Sequence, residues 1–225
     1  MKAKILNKKN QFYVTLLISV IIIGLQWLLM RDVKTNGVWE WLLSSLFLFF
    51  ILPIIVIKFY FKENLSSFHL SFNFGLREIL TTLISGGIFI GIFLLLMVKF
   101  SWYENFPFSD FYLGDKNVFL FICFLISPLV IFFRQFFFLG FLLKSAEKVV
   151  GAWRGVIIFF IFLFLAFFIS GKDFSVVVFS LTLFVNIFLA WLVLRTRTVI
   201  LTSLVAWIIS MVIDFTIFYQ ISLIR

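Results

Sequence analysis

The chain has 225 residues, 64% of them hydrophobic and 13% charged, with a formal net charge of +9. So apolar a composition excludes a soluble domain, where charged residues run near ~25%, and indicates a polytopic membrane protein. The basic excess has a topological reading, because Lys and Arg collect in cytoplasmic loops; nucleic-acid binding would need a basic soluble face or an aromatic stacking platform, and neither is present.

A span needs about 20 apolar residues. In chain order, the qualifying stretches are 12–30, 39–61, 79–100, 118–143, 154–170, 174–194 and 198–220. The first follows a basic tail (Lys2, Lys4, Lys8, Lys9). It is too long for a signal-peptide core and no small-residue cleavage site follows, so it reads as a retained span. The connections then alternate. Lys58, Lys62 and Arg77, then Lys144, Lys148 and Arg154, then Arg195 and Arg197 fall on the side of the basic tail. Glu104, Asp110 and Asp115 fall opposite. This asymmetry sets the N-terminus in the cytoplasm. Trp27, Trp39, Trp41, Trp102, Tyr103 and Tyr219 then lie at the outer interface, and Tyr13, Tyr60, Trp153 and Trp191 at the inner one. The expected fold is all-α: one transmembrane bundle of about seven spans over residues 1–225.

The stretch at 62–78 mixes Ser, Asn and Phe and reads as a short amphipathic piece lying on the membrane, with His69 a solvated loop residue. Gly87 and Gly91, spaced three residues apart, predict a helix-packing face on the third span. No internal repeat supports the inverted-repeat architecture of transporters.

Charge inside the spans carries the functional question. Arg134 lies mid-span, about nine residues or 13 Å from the inner end. A central cation costs roughly 2.5–3.5 kcal/mol on insertion scales, so some compensation is expected. Gln135 is adjacent, Asn186 has a similar depth, and Pro128 frees a backbone carbonyl one to two turns earlier. Asp214 is the second intramembrane charge, about two turns nearer the outer side, on one face with Ser203, Trp207 and Ser210. Arg134, Gln135, Asn186 and Asp214 are therefore the candidate intramembrane polar cluster. It reads as a pocket for a partner or lipid headgroup, as a self-satisfied structural lock, or as an Arg snorkelling inward. One His and one Cys supply no metal site, no cofactor motif is present, and no Ser/His/Asp set or paired carboxylates occur.

Three stretches carry a resemblance. RQFFFLGFLLKSAEKVVGAWRGVIIF begins at Arg134, FLAFF covers 164–168, and LRTRTVILTSLVAWIIS covers 194–210. Together they resemble the motifs of the CAAX protease and bacteriocin-processing (Abi) membrane proteins: a Glu pair followed by Arg-Gly, then Phe-x-x-x-His, then a turn leading into His-x-x-x-Asn. The resemblance implies an intramembrane-protease shell over most of the chain. Its catalytic positions are filled differently here. Arg134 and Gln135 stand at the Glu pair, Leu139 at the motif Arg, Phe168 and Ala206 at the two His, and Ser210 at the Asn. Only Gly140 after Leu139 matches. Placing Arg134 on the motif Arg instead would put Leu129 and Val130 at the Glu pair, with the same consequence.

With no base at those positions, the resemblance implies an inactive relative. It looks most like the lysostaphin-resistance-A-like branch, whose members look like scaffolds or regulators of membrane or cell-envelope partners. The expected setting is a bacterial-type plasma membrane, with lipid and a membrane protein as partners. Two alternatives stay open: an active protease with a site rearranged around Asp214, and a small transporter or bacteriocin-immunity-type protein with a polar cavity at Arg134.

Overall fold

The computed structural model describes residues 2–31, 37–99, 116–169 and 176–224. They form seven helices: α1 (Lys2–Arg31), α2 (37–61), α3 (Leu76–Lys99), α4 (116–150), α5 (Ala152–Ile169), α6 (Val176–Thr196) and α7 (Val199–Ile224). No strand occurs among these residues. Six helices are long and apolar enough to cross a bilayer. The expected span at 154–170 becomes α5, an apolar helix of 18 residues. At 1.5 Å per residue it reaches about 27 Å, just short of a hydrocarbon core of about 30 Å.

Both α2 and α4 contain wide, π-helical turns. Phe47–Ile51 precedes Pro53, and Ile122–Ile126 precedes Pro128. The placement has a steric cause. A proline ring collides with the carbonyl four residues back, and an i→i+5 turn moves that carbonyl aside. The missing N–H of Pro128 leaves the carbonyl of Cys123 without its i+5 donor, and the indole Nε1 of Trp207 on α7 donates to it at 2.9 Å. The proline's opening is thus spent on an α4–α7 contact. Arg134 has no share in it.

The inner half of α4 is the centre of the bundle. Phe136, Phe137, Leu139, Phe141, Leu142 and Leu143 are all fully buried. Phe137 and Phe136 meet Phe49 and Phe50 of α2, and the neighbouring Phe138 meets Phe159 of α5, through ring contacts. Gly140 lies among them for want of room. A Cβ there would come within 2.9 Å of the Phe68 carbonyl oxygen and of the Phe136 ring.

The 62–75 connection folds differently from its expectation. Leu65–Phe68 makes a 3-10 turn closed by His69 in the left-handed region (φ 63). Phe68, His69 and Leu70 are buried beneath the bundle, with Phe68 stacked on Phe61 and Phe141. Burial of three consecutive side chains and a bond from Val199 N–H to the His69 carbonyl (2.9 Å) pull this loop off the membrane surface. His69 is 3% exposed and is no solvated loop residue.

The glycine face on α3 also needs correction. A Cβ on Gly87 or Gly91 meets nothing within 4 Å, so within the chain neither glycine carries a helix contact. Gly86 does, with its Cβ position 3.1 Å from Val205 of α7. Gly86→Leu should therefore lower the melting temperature in detergent, whereas Gly87→Leu should leave it unchanged or slightly raised through better helix propensity. Equal losses from both would refute this packing.

Candidate functional site

Two places hold polar groups in unusual settings. The first is the inner end, where α4 finishes and the α2–α3 and α6–α7 connections arrive. Glu147 is its hub. Lys144 Nζ donates to Oε2 at 2.8 Å, and Arg197 Nη1 donates to Oε1 at 2.6 Å. His69 Nε2 stands 3.6 Å from Oε2, beyond hydrogen-bond length. Beside it Lys148 pairs with Glu63, which also accepts from Ser67 at 2.9 Å, and the Lys148 ammonium lies 3.8 Å from the centre of the Phe68 ring. The local sequence explains the geometry. Arg197 ends α6 in a left-handed turn (φ 58), and Gly151 (φ 88) turns α4 into α5, so short connections bring these helix ends level.

This carboxylate–imidazole approach is absent from the sequence reading, because Glu63, His69, Glu147 and Arg197 lie far apart in the chain. Its chemistry is that of a latch. Both Glu147 oxygens already accept bonds from cations, so the group is poorly placed to take a proton from water. Burial, reinforced by Lys144 and Arg197 and opposed by Glu147, holds the His69 imidazole below its ordinary range. Burial raises Glu63, but Lys148 and Ser67 outweigh it and hold that carboxyl below its ordinary range.

Both shifts act on stability with one sign. A lowered folded pKa means that the unfolded chain takes up the proton first, so stability is lost as pH falls. The loss starts near the ordinary His value of about 6.5 and deepens near the ordinary Glu value of about 4.3. Thermal melts in detergent between pH 8 and 4 should fall in those two windows. His69→Gln should flatten the upper one, and an unchanged upper slope would show that His69 has no part in it.

The second place is Arg134. A set of contacts fixes its level in the bundle. Gly140 of α4 lies against Phe68, next to the His69 that bonds Val199 of α7. Further along, Phe124 packs on Phe215 and Phe119 on Phe218. The helices are antiparallel with these pairs level, which places Arg134 opposite about Val205, about 9 Å outward of Gly140. Lys144 is about 15 Å away along the helix, so Arg134 sits near mid-bilayer.

Ser127 and Val130, on the Arg134 face at i−7 and i−4, are buried. Phe136–Leu142 winds as a π-helix, so the 3.6-residue period does not carry inward from Arg134. Arg134 itself is exposed. Around it α4 packs chiefly on α2 and α7, while α6 packs on α3, α5 and α7. Among the described residues Arg134 makes no hydrogen bond and no ion pair.

The expected polar cluster is only partly assembled. Asn186 of α6 lies within about one helical turn of the Arg134 level, counting from the α6–α7 turn, but its amide donates to Thr182 O at 2.8 Å. Gln135 is half-buried on a neighbouring face and its Oε1 has no partner. Asp214 is about 13 Å outward of Arg134, too far for an ion pair, and accepts from Ser210 at 3.4 Å. Ala206 is buried beside the Arg134 level, and Ser210 lies one turn further outward. Leu139 is buried in the Phe core, with no cleft beside it. Phe168 is 68% exposed on the outside of α5. Of the six motif positions, Arg134, Ala206 and Ser210 thus border the α4–α7 region, Gln135 is half-buried on a neighbouring face, and Leu139 and Phe168 lie elsewhere.

A shallow groove of about 650 Å³ runs elsewhere, on the inner end of α3 between Arg77 and Ser85. No cluster of three metal-ligating side chains occurs among the described residues.

The fold and these spans define an all-α, multi-pass membrane protein. No family model, curated protein or solved structure matches the chain.

Proposed function

We propose that this chain is a catalytically silent, intramembrane-protease-like protein of a bacterial-type plasma membrane, acting as a scaffold or regulator of a membrane or cell-envelope partner. The observation that carries the reading is Arg134: an exposed mid-span cation with no partner among the described residues. A position that costs roughly 2.5–3.5 kcal/mol and finds no compensation among them is best explained by compensation from outside them. The resemblance to Abi-type proteases supports the shell. Arg134 in place of a Glu turns the position from a proton acceptor into a fixed cation, which cannot activate water.

Active proteolysis around Asp214 is less well supported. The single His lies level with Val199, fifteen residues or about 22 Å along α7 from Asp214, so the carboxylate has no imidazole to work with. A transporter reading also uses Arg134, but no internal repeat supports it.

A photo-crosslinking residue at Ile131, half-buried one turn from Arg134 on α4, tests the scaffold reading in the native membrane. A discrete protein adduct is expected, lost when Arg134→Leu is added. Adducts to lipid alone, or an adduct indifferent to Arg134, would refute it. Asp214→Asn should leave the membrane proteome unchanged; accumulation of an unprocessed protein would revive the protease reading.

A further inference from the structure

We infer that Arg134, exposed mid-span and without a partner among the described residues, receives a carboxylate, an Asp or Glu side chain at mid-bilayer depth on a transmembrane segment of the partner. The inference rests on the scaffold reading and adds the chemistry of the occupant. A guanidinium pairs most strongly with a planar anion, through two parallel N–H···O bonds that strengthen as water is excluded. The described part of the chain has no such anion in reach. Asp214 is about 13 Å outward, and Glu147 is thirteen residues inward along α4, about 20 Å, with both oxygens already occupied.

Depth selects the source of the anion. Lipid phosphates sit at the headgroups, about 15 Å from a central residue in a core of about 30 Å. A segment that crosses the bilayer can carry a carboxylate to the level of Arg134 without displacement. Such an acid is itself costly in lipid, so pairing relieves both partners and makes the contact selective.

The probe is a Leu/Ala-based transmembrane peptide carrying one central Glu, with a central-Gln version as control. Energy transfer from the labelled full chain to each labelled peptide would be measured in phosphatidylcholine vesicles at neutral pH. Wild type should bind the Glu peptide at least about tenfold more tightly than the Gln peptide, as expected for a paired against an unpaired cation. Arg134→Gln should abolish the preference while helix content by circular dichroism stays unchanged.

Equal binding of the two peptides to wild type, or a preference that survives in Arg134→Gln, would overturn the inference. If the Arg134-dependent crosslink at Ile131 persisted beside equal peptide binding, the scaffold reading would stand and the carboxylate alone would fall. Loss of both results would end both.

Discussion

Gly140→Val should be among the most damaging single substitutions in this chain. Its Cβ would meet a backbone oxygen, that of Phe68, at 2.9 Å, and the Phe136 ring at the same distance. The ring can tilt, but the carbonyl is held by the 3-10 turn and by the stacking of Phe68 on Phe61 and Phe141. Overpacking of this kind costs about 1–3 kcal/mol where neighbours can move, and the upper end applies where backbone must. In a chain of this size that is a fall of order 5–10 °C in melting temperature. The loop at 62–75 should detach before the bundle unfolds, so proteolysis near Asn64 should rise in parallel. A melting point within a degree of wild type would mean that Phe68 does not seat against α4.

Glu147→Gln is the second large effect. It keeps the shape and removes the charge that holds Lys144 and Arg197. Lys144 is 18% exposed, and a buried cation left without its anion costs up to 3–5 kcal/mol. Arg197 is 55% exposed, so solvent screens its part and the total should be about 2 kcal/mol. The double substitution Glu147→Gln with Lys144→Gln should recover part of the loss, because the stranded ammonium is gone. Additive losses would show that the two side chains do not interact.

The fold was legible where the signal was one-dimensional. Apolar runs of span length and the alternation of basic connections locate the helices and bring the inner ends together, because both depend on local composition. The glycine face was misread for a related reason. Spacing at i and i+4 marks a face, but Gly86 and Gly87 differ by 100° of rotation, and only a neighbouring helix decides which is covered. The inner latch was invisible because Glu147, His69 and Arg197 meet through three different connections. His69 carried one weak signal, a lone imidazole in a loop with buried-type neighbours Phe68 and Leu70.

The intramembrane site was half legible. An Arg in an apolar run announces its own cost, and its depth follows from counting. The direction of its side chain follows from which faces of α4 are covered, and that needed the packing of α7. The expected bond from Arg134 to the carbonyl freed by Pro128 failed on position. The wide turn before the proline presents that carbonyl, from Cys123, to Trp207, about 16 Å along the helix from Arg134.

Removing Arg134 separates stability from function most cleanly. Wild type and Arg134→Leu would be purified side by side from native membranes in mild detergent, and the melting point and the co-purifying proteins of each compared. The prediction is that Arg134→Leu melts no lower than wild type, since an uncompensated cation has gone, and that a stoichiometric membrane protein accompanies wild type alone. A solitary wild-type chain, a companion retained without the guanidinium, or a collapse of the variant's melting point would contradict the account.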